Sequence, residues 1–243
     1  MIPLHDPDIR RRRSPHVTYA LIAINVVIAA ITFVVLSDLD ELAVVYRYGA
    51  VPSELTGGSE LGVERVSWMG RIVTVDFTSP IPTVLTMFSS MFLHGGWLHL
   101  GGNMLFLWVF GDNIEDRLGH VAYLLFYLAT GVVAVWTQVY VAPDSEVPMI
   151  GASGAISGVL GAYLVLFPRS RIDTLIVVGF IFHARLPAVV LLGGWILFQV
   201  FVGAASLGIG ADSGVAYFAH IGGFVAGMVG IWVLRVVGLV RKS

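Results

Sequence analysis

Eight polar side chains interrupt stretches of this chain that are otherwise almost continuously apolar: His94, His99, Asn103, Gln138, Ser153, Ser157, Gln199 and His220. Two of them form a pair of types that can do covalent chemistry. A serine hydroxyl is a weak nucleophile until a neighbouring base takes its proton, and an imidazole can be that base and later protonate a leaving amine. No Asp or Glu falls in the same apolar stretches as Ser153 and His220, so a two-residue arrangement fits better than a triad. Attack on a carbonyl develops an oxyanion, which needs donors already in place. Asn103 offers an amide NH2, Ser153 its backbone N–H, and His99, one turn before Asn103 on the same face, a ring N–H. Ser157 is the nearest candidate to hold the second nitrogen of His220, whose tautomer depends on that contact. The bland alternative is that Ser157 bonds its own helix backbone.

The elements that must position these groups follow from composition. The chain has 243 residues, 57% hydrophobic and 12% charged, about half the charge of an ordinary soluble domain. A bilayer core of roughly 30 Å needs about 20 apolar helical residues. Six segments qualify, at about Thr18–Leu36, Thr83–Phe110, Val121–Val141, Met149–Phe167, Leu186–Ala205 and Val215–Val237. The apolar stretch Thr174–Phe182 is too short to span and reads as an interfacial or re-entrant piece. The fold expected is an all-α membrane protein, a bundle of six transmembrane helices with a long outer loop between the first and second. In chain order this gives a basic cytoplasmic tail over 1–17, one membrane domain over 18–238 with its outer loop at about 37–82, and a short cytoplasmic tail over 239–243. The first apolar run follows Arg10–Arg13 but is too long for a signal peptide and lacks a cleavage site.

Basic residues orient the bundle. With the N-terminus cytoplasmic, one side holds Arg10, Arg11, Arg12, Arg13, Arg117, Arg169, Arg171, Arg185, Arg235, Arg241 and Lys242, and the other only Arg47, Arg65 and Arg71. Both termini are then cytoplasmic. This topology brings Ser153, His220, His99 and Asn103 to the outer side at similar depth, Ser153 roughly 6 Å in at 1.5 Å per residue. His220, Gly223 and Gly227 fall on one face of the last helix, and Gly154 and Gly158 accompany Ser153. Small residues at such spacing let helices approach closely in lipid. Packing of the two glycine faces would carry His220 to Ser153.

Other chemistries lack their residues. The chain has no cysteine, which removes disulfides, thiolate metal sites and cysteine nucleophiles. There is no H-E-x-x-H zinc motif, and no metal or other cofactor is expected. The run Gly208-Ile-Gly210-Ala-Asp212 misses the Gly-x-Gly-Asp of intramembrane aspartyl proteases by one position, and Asp212 reads as a solvated loop residue. A net charge of −2 gives no sign of a nucleic-acid partner, and no nucleotide is expected. A transporter would place ionisable groups near the midplane, and none are there.

These residues resemble the rhomboid family of intramembrane serine proteases. Gly151-Ala-Ser153-Gly154 is similar to its G-x-S-G motif, and His99-Leu-Gly-Gly-Asn103 to its H-x-x-x-N motif. Ala219-His220-Ile-Gly-Gly223-Phe-Val-Ala-Gly227 is similar to A-H-x-x-G-x-x-x-G, and Glu115-Asp-Arg117 to an E-x-R element taken as structural. Ser157 stands where many members carry an aromatic. The resemblance implies Ser153 as nucleophile, His220 as base, and His99, Asn103 and the Ser153 N–H around the oxyanion. It also implies cleavage of other membrane proteins in or beside their transmembrane segments. The alternative is a catalytically inactive relative that binds membrane clients for quality control. The expected location is the plasma membrane of a prokaryote. Because a helical carbonyl is already hydrogen-bonded, attack needs local unwinding, which Gly and Pro favour. A reporter with Gly or Pro near the outer end of its transmembrane segment should be cut faster than a uniformly Leu-rich one; equal rates would show that unwinding is not selective.

Overall fold

The structure is a computed structural model and describes residues 1–9, 12–209 and 215–241; Arg10, Arg11, Asp212 and Lys242 lie outside the described residues. In chain order it runs β1 (Ile2–His5), α1 (His16–Ala30), α2 (Asp38–Tyr48), α3 (Pro52–Leu55), β2 (Val63–Trp68) and β3 (Arg71–Asp76). There follow α4 (Thr83–Ser89), α5 (Trp97–Phe106), α6 (Asp112–Leu118), α7 (His120–Val141) and α8 (Ser153–Leu166). It ends with β4 (Arg171–Val178), β5 (Phe180–Pro187), α9 (Ala188–Ile209) and α10 (Tyr217–Val236). Among the described residues four helical stretches are long and apolar enough to cross a membrane: His16–Val35, His120–Val141, Ala188–Leu207 and Tyr217–Val236. The protein is thus mostly helical.

The structure corrects the sequence reading in three places. The fold is not all-α: β1, β4 and β5 form an antiparallel three-stranded sheet, and β2 pairs with β3 in a hairpin. The stretch Thr174–Phe182, expected as an interfacial or re-entrant piece, lies inside the β4–β5 hairpin. The segment expected as one helix from Thr83 to Phe110 is broken at Leu93–Gly96, where Leu93 is extended and Gly96 has φ +134°. That φ is open to glycine without a Cβ penalty, so the chain restarts as a new helix at Trp97.

The segment expected as an outer loop is itself folded. It carries α2, capped by the Ser37 hydroxyl accepting from the Asp40 N–H, then α3 and the β2–β3 hairpin. It is fastened to the connection before α8: Ala50 and Met149 exchange backbone hydrogen bonds of 3.0 and 2.8 Å, and the Ser53 N–H donates to the Ser145 carbonyl.

The opposite end is tied by two buried carboxylates. Glu115 on α6, 1% exposed, accepts from the N–H groups of Val17 and Thr18 and from the Thr18 hydroxyl, and lies 2.6 Å from His120 Nδ1. A helix begins with N–H groups that have no partner in the helix, and Glu115 serves those of α1 from a distant part of the chain. Arg117 stacks on Phe167, donates from Nη1 to the Arg241 carbonyl and accepts from the Arg241 N–H at its own carbonyl, so the E-x-R element joins three parts of the chain. The N-terminal segment is not a free tail. β1 pairs with β4, and the buried Asp6 accepts from Tyr163, Ser170 and Asn113.

Burial raises the Asp6 carboxyl above its usual range, and hydrogen bonds from Tyr163, Ser170 and the Asp8 N–H oppose the rise. A docked-state pKa above the undocked one makes docking strongest below the undocked value and weaker as pH rises through the docked value. Hydrogen exchange at the amides of Ile2, Leu4 and His5, corrected for intrinsic rates, should therefore speed up as pH rises above the ordinary carboxylate range. Asp6→Asn should flatten that dependence; pH-independent protection in the wild type would contradict it.

Candidate active site

Three helices direct their N-terminal ends at one cavity. Ser153 is the first residue of α8, His220 lies in the first turn of α10, and His99 in the first turn of α5. The Ser153 Oγ stands 2.7 Å from His220 Nε2. His99 Nδ1 accepts from the Gly95 N–H at 3.3 Å, which leaves Nε2 as the nitrogen that carries a proton. Asn103 is buried, and its Nδ2 has no hydrogen-bond partner among the described residues. These four residues line a cavity of about 490 Å³ that also takes in Phe106, Ile150, Ser157, Trp195 and Gln199. Among the described residues the cavity lining holds no Asp, Glu, Lys or Arg.

Backbone proximity sets the Ser153–His220 distance. A Cβ on Gly223 would overlap the carbonyl oxygen of Gly154, and one on Gly227 that of Gly158. A Cβ on Gly154 would stand 2.7 Å from that of Ala134, and one on Gly158 would overlap Thr130. The α8 glycines thus face α7, while their carbonyls receive the α10 glycines. The α8–α10 pair is the most extensive helix packing among the described residues.

The turn before Ser153 is equally constrained. Gly151 has φ +120°, and a Cβ there would lie 2.8 Å from His99 Nε2 and 3.6 Å from Ser153 Oγ. The Gly151 N–H donates to the Ser90 carbonyl at 2.9 Å. Gly151 therefore admits the His99 ring beside the serine.

The structure brings together Ser153, His220, His99 and Asn103, and places Gly154, Gly158, Gly223 and Gly227 in the packing seam. Ser157 is a correction. Its hydroxyl donates to the Ser153 carbonyl at 2.6 Å and makes no bond to His220, because on a helix the carbonyl one turn back is the closer acceptor. Gln199 of α9 occupies the position expected of Ser157, with Oε1 3.0 Å from His220 Nδ1. Trp195, one turn earlier on α9, places its ring 6.0 Å from that of His220. The signal for both was a Trp and a Gln spaced four apart in an apolar span.

A family model of the rhomboid domain matches residues 82–236, more than half of the chain, and the chain belongs to the rhomboid family. Among its relatives is Rhomboid protein 1, mitochondrial, of Saccharomyces cerevisiae, 29% identical over 157 residues, 63% of this chain and 42% of that protein. Presenilin-associated rhomboid-like protein, mitochondrial, of Bos taurus is 34% identical over 166 residues, 64% of this chain and 44% of that protein. Rhomboid-like protein 11, chloroplastic, of Arabidopsis thaliana is 31% identical over 150 residues, 60% of this chain and 51% of that protein. The chain spans about half the length of these relatives. It is an integral membrane protein, and the organelle names of the relatives lend no support to the expected prokaryotic plasma membrane.

If the seam governs α8–α10 packing, Gly227→Val should destabilise the protein by about 1–3 kcal/mol, as overpacking does. Gly193→Val, on α9 where no atom lies within 4 Å of an added Cβ, should be near neutral. Unfolding in detergent measures both; equal effects would contradict the seam.

Proposed function

We propose that this protein is an intramembrane serine endopeptidase that cleaves transmembrane segments of other membrane proteins through a Ser153–His220 dyad. The observation that carries this is the 2.7 Å contact between Ser153 Oγ and His220 Nε2 in a cavity that also presents an Asn103 Nδ2 with no partner among the described residues. Nε2 takes the hydroxyl proton as Oγ attacks the substrate carbonyl. The oxyanion forms among Asn103 Nδ2, His99 Nε2–H and the Ser153 N–H, at the positive end of the α8 dipole. Collapse of the intermediate breaks the C–N bond, and His220 returns the proton to the departing amine. Water then attacks the acyl-serine by the same proton path in reverse. None of these steps calls for a metal or cofactor.

The chain crosses the bilayer six times in this proposal, as one domain over 18–238 with the arginine-rich end cytoplasmic. The broken α5–α6 rod and α8 join the four long helices as spans. α8 has 14 residues, about 21 Å of helix, shorter than a bilayer core of roughly 30 Å. Ser153 at its outer end therefore sits below the bilayer edge, at the floor of a cavity that water can fill. The inactive, client-binding alternative has no observation in its favour, since Ser153 and His220 are both present and in contact.

Ser153→Ala and His220→Ala should each abolish cleavage of a transmembrane reporter while the protein still folds. Removing one oxyanion donor costs about 10²–10³ in turnover, so Asn103→Ala should fall in that range. Near-normal cleavage by Ser153→Ala would remove the dyad; near-normal turnover by Asn103→Ala would place the oxyanion elsewhere.

A further inference from the structure

Gln199 belongs to a helix that contributes neither nucleophile nor base, yet its side chain is 7% exposed and directed at the one ring nitrogen of His220 that Ser153 leaves free. We propose that Gln199 is a positioning residue that holds His220 in the tautomer able to act as base. With the amide oxygen facing Nδ1, the imidazole donates Nδ1–H to it and keeps an unprotonated Nε2 to accept the Ser153 hydroxyl. Without an acceptor at Nδ1 the ring is free to carry its proton on Nε2, where it cannot take another.

The remaining described residues around His220 offer no substitute. Among the described residues lining the cavity there is no carboxylate, and the other histidine there, His99, already has its Nδ1 engaged with Gly95. The Ser157 hydroxyl is committed to the Ser153 carbonyl. Trp195 packs its ring against both His220 and Phe224. The α9 pair Trp195 and Gln199, one turn apart, therefore restricts the imidazole by a ring contact and a hydrogen bond.

The assignment rests on His220 acting as base, and its test separates the two. Nitrogen-15 NMR of histidine-labelled protein in nanodiscs should show His220 with a protonated Nδ1 and an unprotonated Nε2. Gln199→Met, close in volume but without an acceptor, should move the proton toward Nε2, whereas Gln199→Glu, which retains an acceptor, should preserve the wild-type signature. In reporter cleavage Gln199→Met should lose about two- to twelvefold in kcat, the range of one neutral hydrogen bond, with KM little changed, and Gln199→Glu should recover most of it. If Gln199 merely fills space the order reverses, Met being tolerated and Glu not. An Nε2-protonated wild-type ring, or identical spectra for wild type and Gln199→Met, would overturn the proposal even if the enzyme cleaves. The expected tautomer shift in a protein that cleaves nothing would sustain the positioning of His220 and remove the protease reading.

Discussion

The site depends on how closely the backbones of α8 and α10 approach. Lipid tails are as apolar as leucine, so helices in a bilayer gain little from hiding apolar surface and associate through packing and hydrogen bonds. Here the packing is made by glycines: Gly223 and Gly227 lie against the carbonyls of Gly154 and Gly158. Because Ser153 opens α8 and His220 lies in the first turn of α10, the distance between these helices also sets the distance between Ser153 and His220. α7 completes the arrangement, with Thr130 and Ala134 filling the surface that the α8 glycines leave open.

The remaining parts of the site are positioned from around that seam. The break at Leu93–Gly96 starts α5 at the level of Ser153 and so places His99 and Asn103 in its first two turns. The Ser90 carbonyl holds Gly151, and the Ala50–Met149 bridge holds the connection behind it, so the folded segment 37–82 steadies the turn that presents Ser153. Glu115 anchors α1 from the far end. α9 packs only lightly on α8, and still reaches His220 through Trp195 and Gln199.

Much of this was legible in the sequence because two independent signals agreed. Arginine bias set which helix ends share a side, and a spacing of three and four residues set which faces meet; together they bring Ser153 and His220 to one place. The break before α5 was hidden because the apolar run from Thr83 to Phe110 continues through it, and hydropathy does not register the positive φ of Gly96. The strands were hidden for a related reason. In β4 the buried Ile172 and Thr174 alternate with more exposed neighbours, a period of two that a search for 20-residue apolar runs passes over. Ser157 was one candidate for its nearness to Ser153, but that proximity also supplies it with a backbone acceptor. Gln199 was visible as a polar residue in an apolar span, whereas its aim at His220 depends on how α9 packs, which no local pattern encodes.

The central claim is that the α8–α10 seam makes Ser153 a base-activated nucleophile. Labelling of the protein in membranes by a serine-directed fluorophosphonate, with the modified residue located by mass spectrometry, tests it most directly. A single adduct on Ser153, absent in a folded His220→Ala variant, is the result expected. An unlabelled Ser153 in folded protein, or undiminished labelling without His220, would contradict the claim.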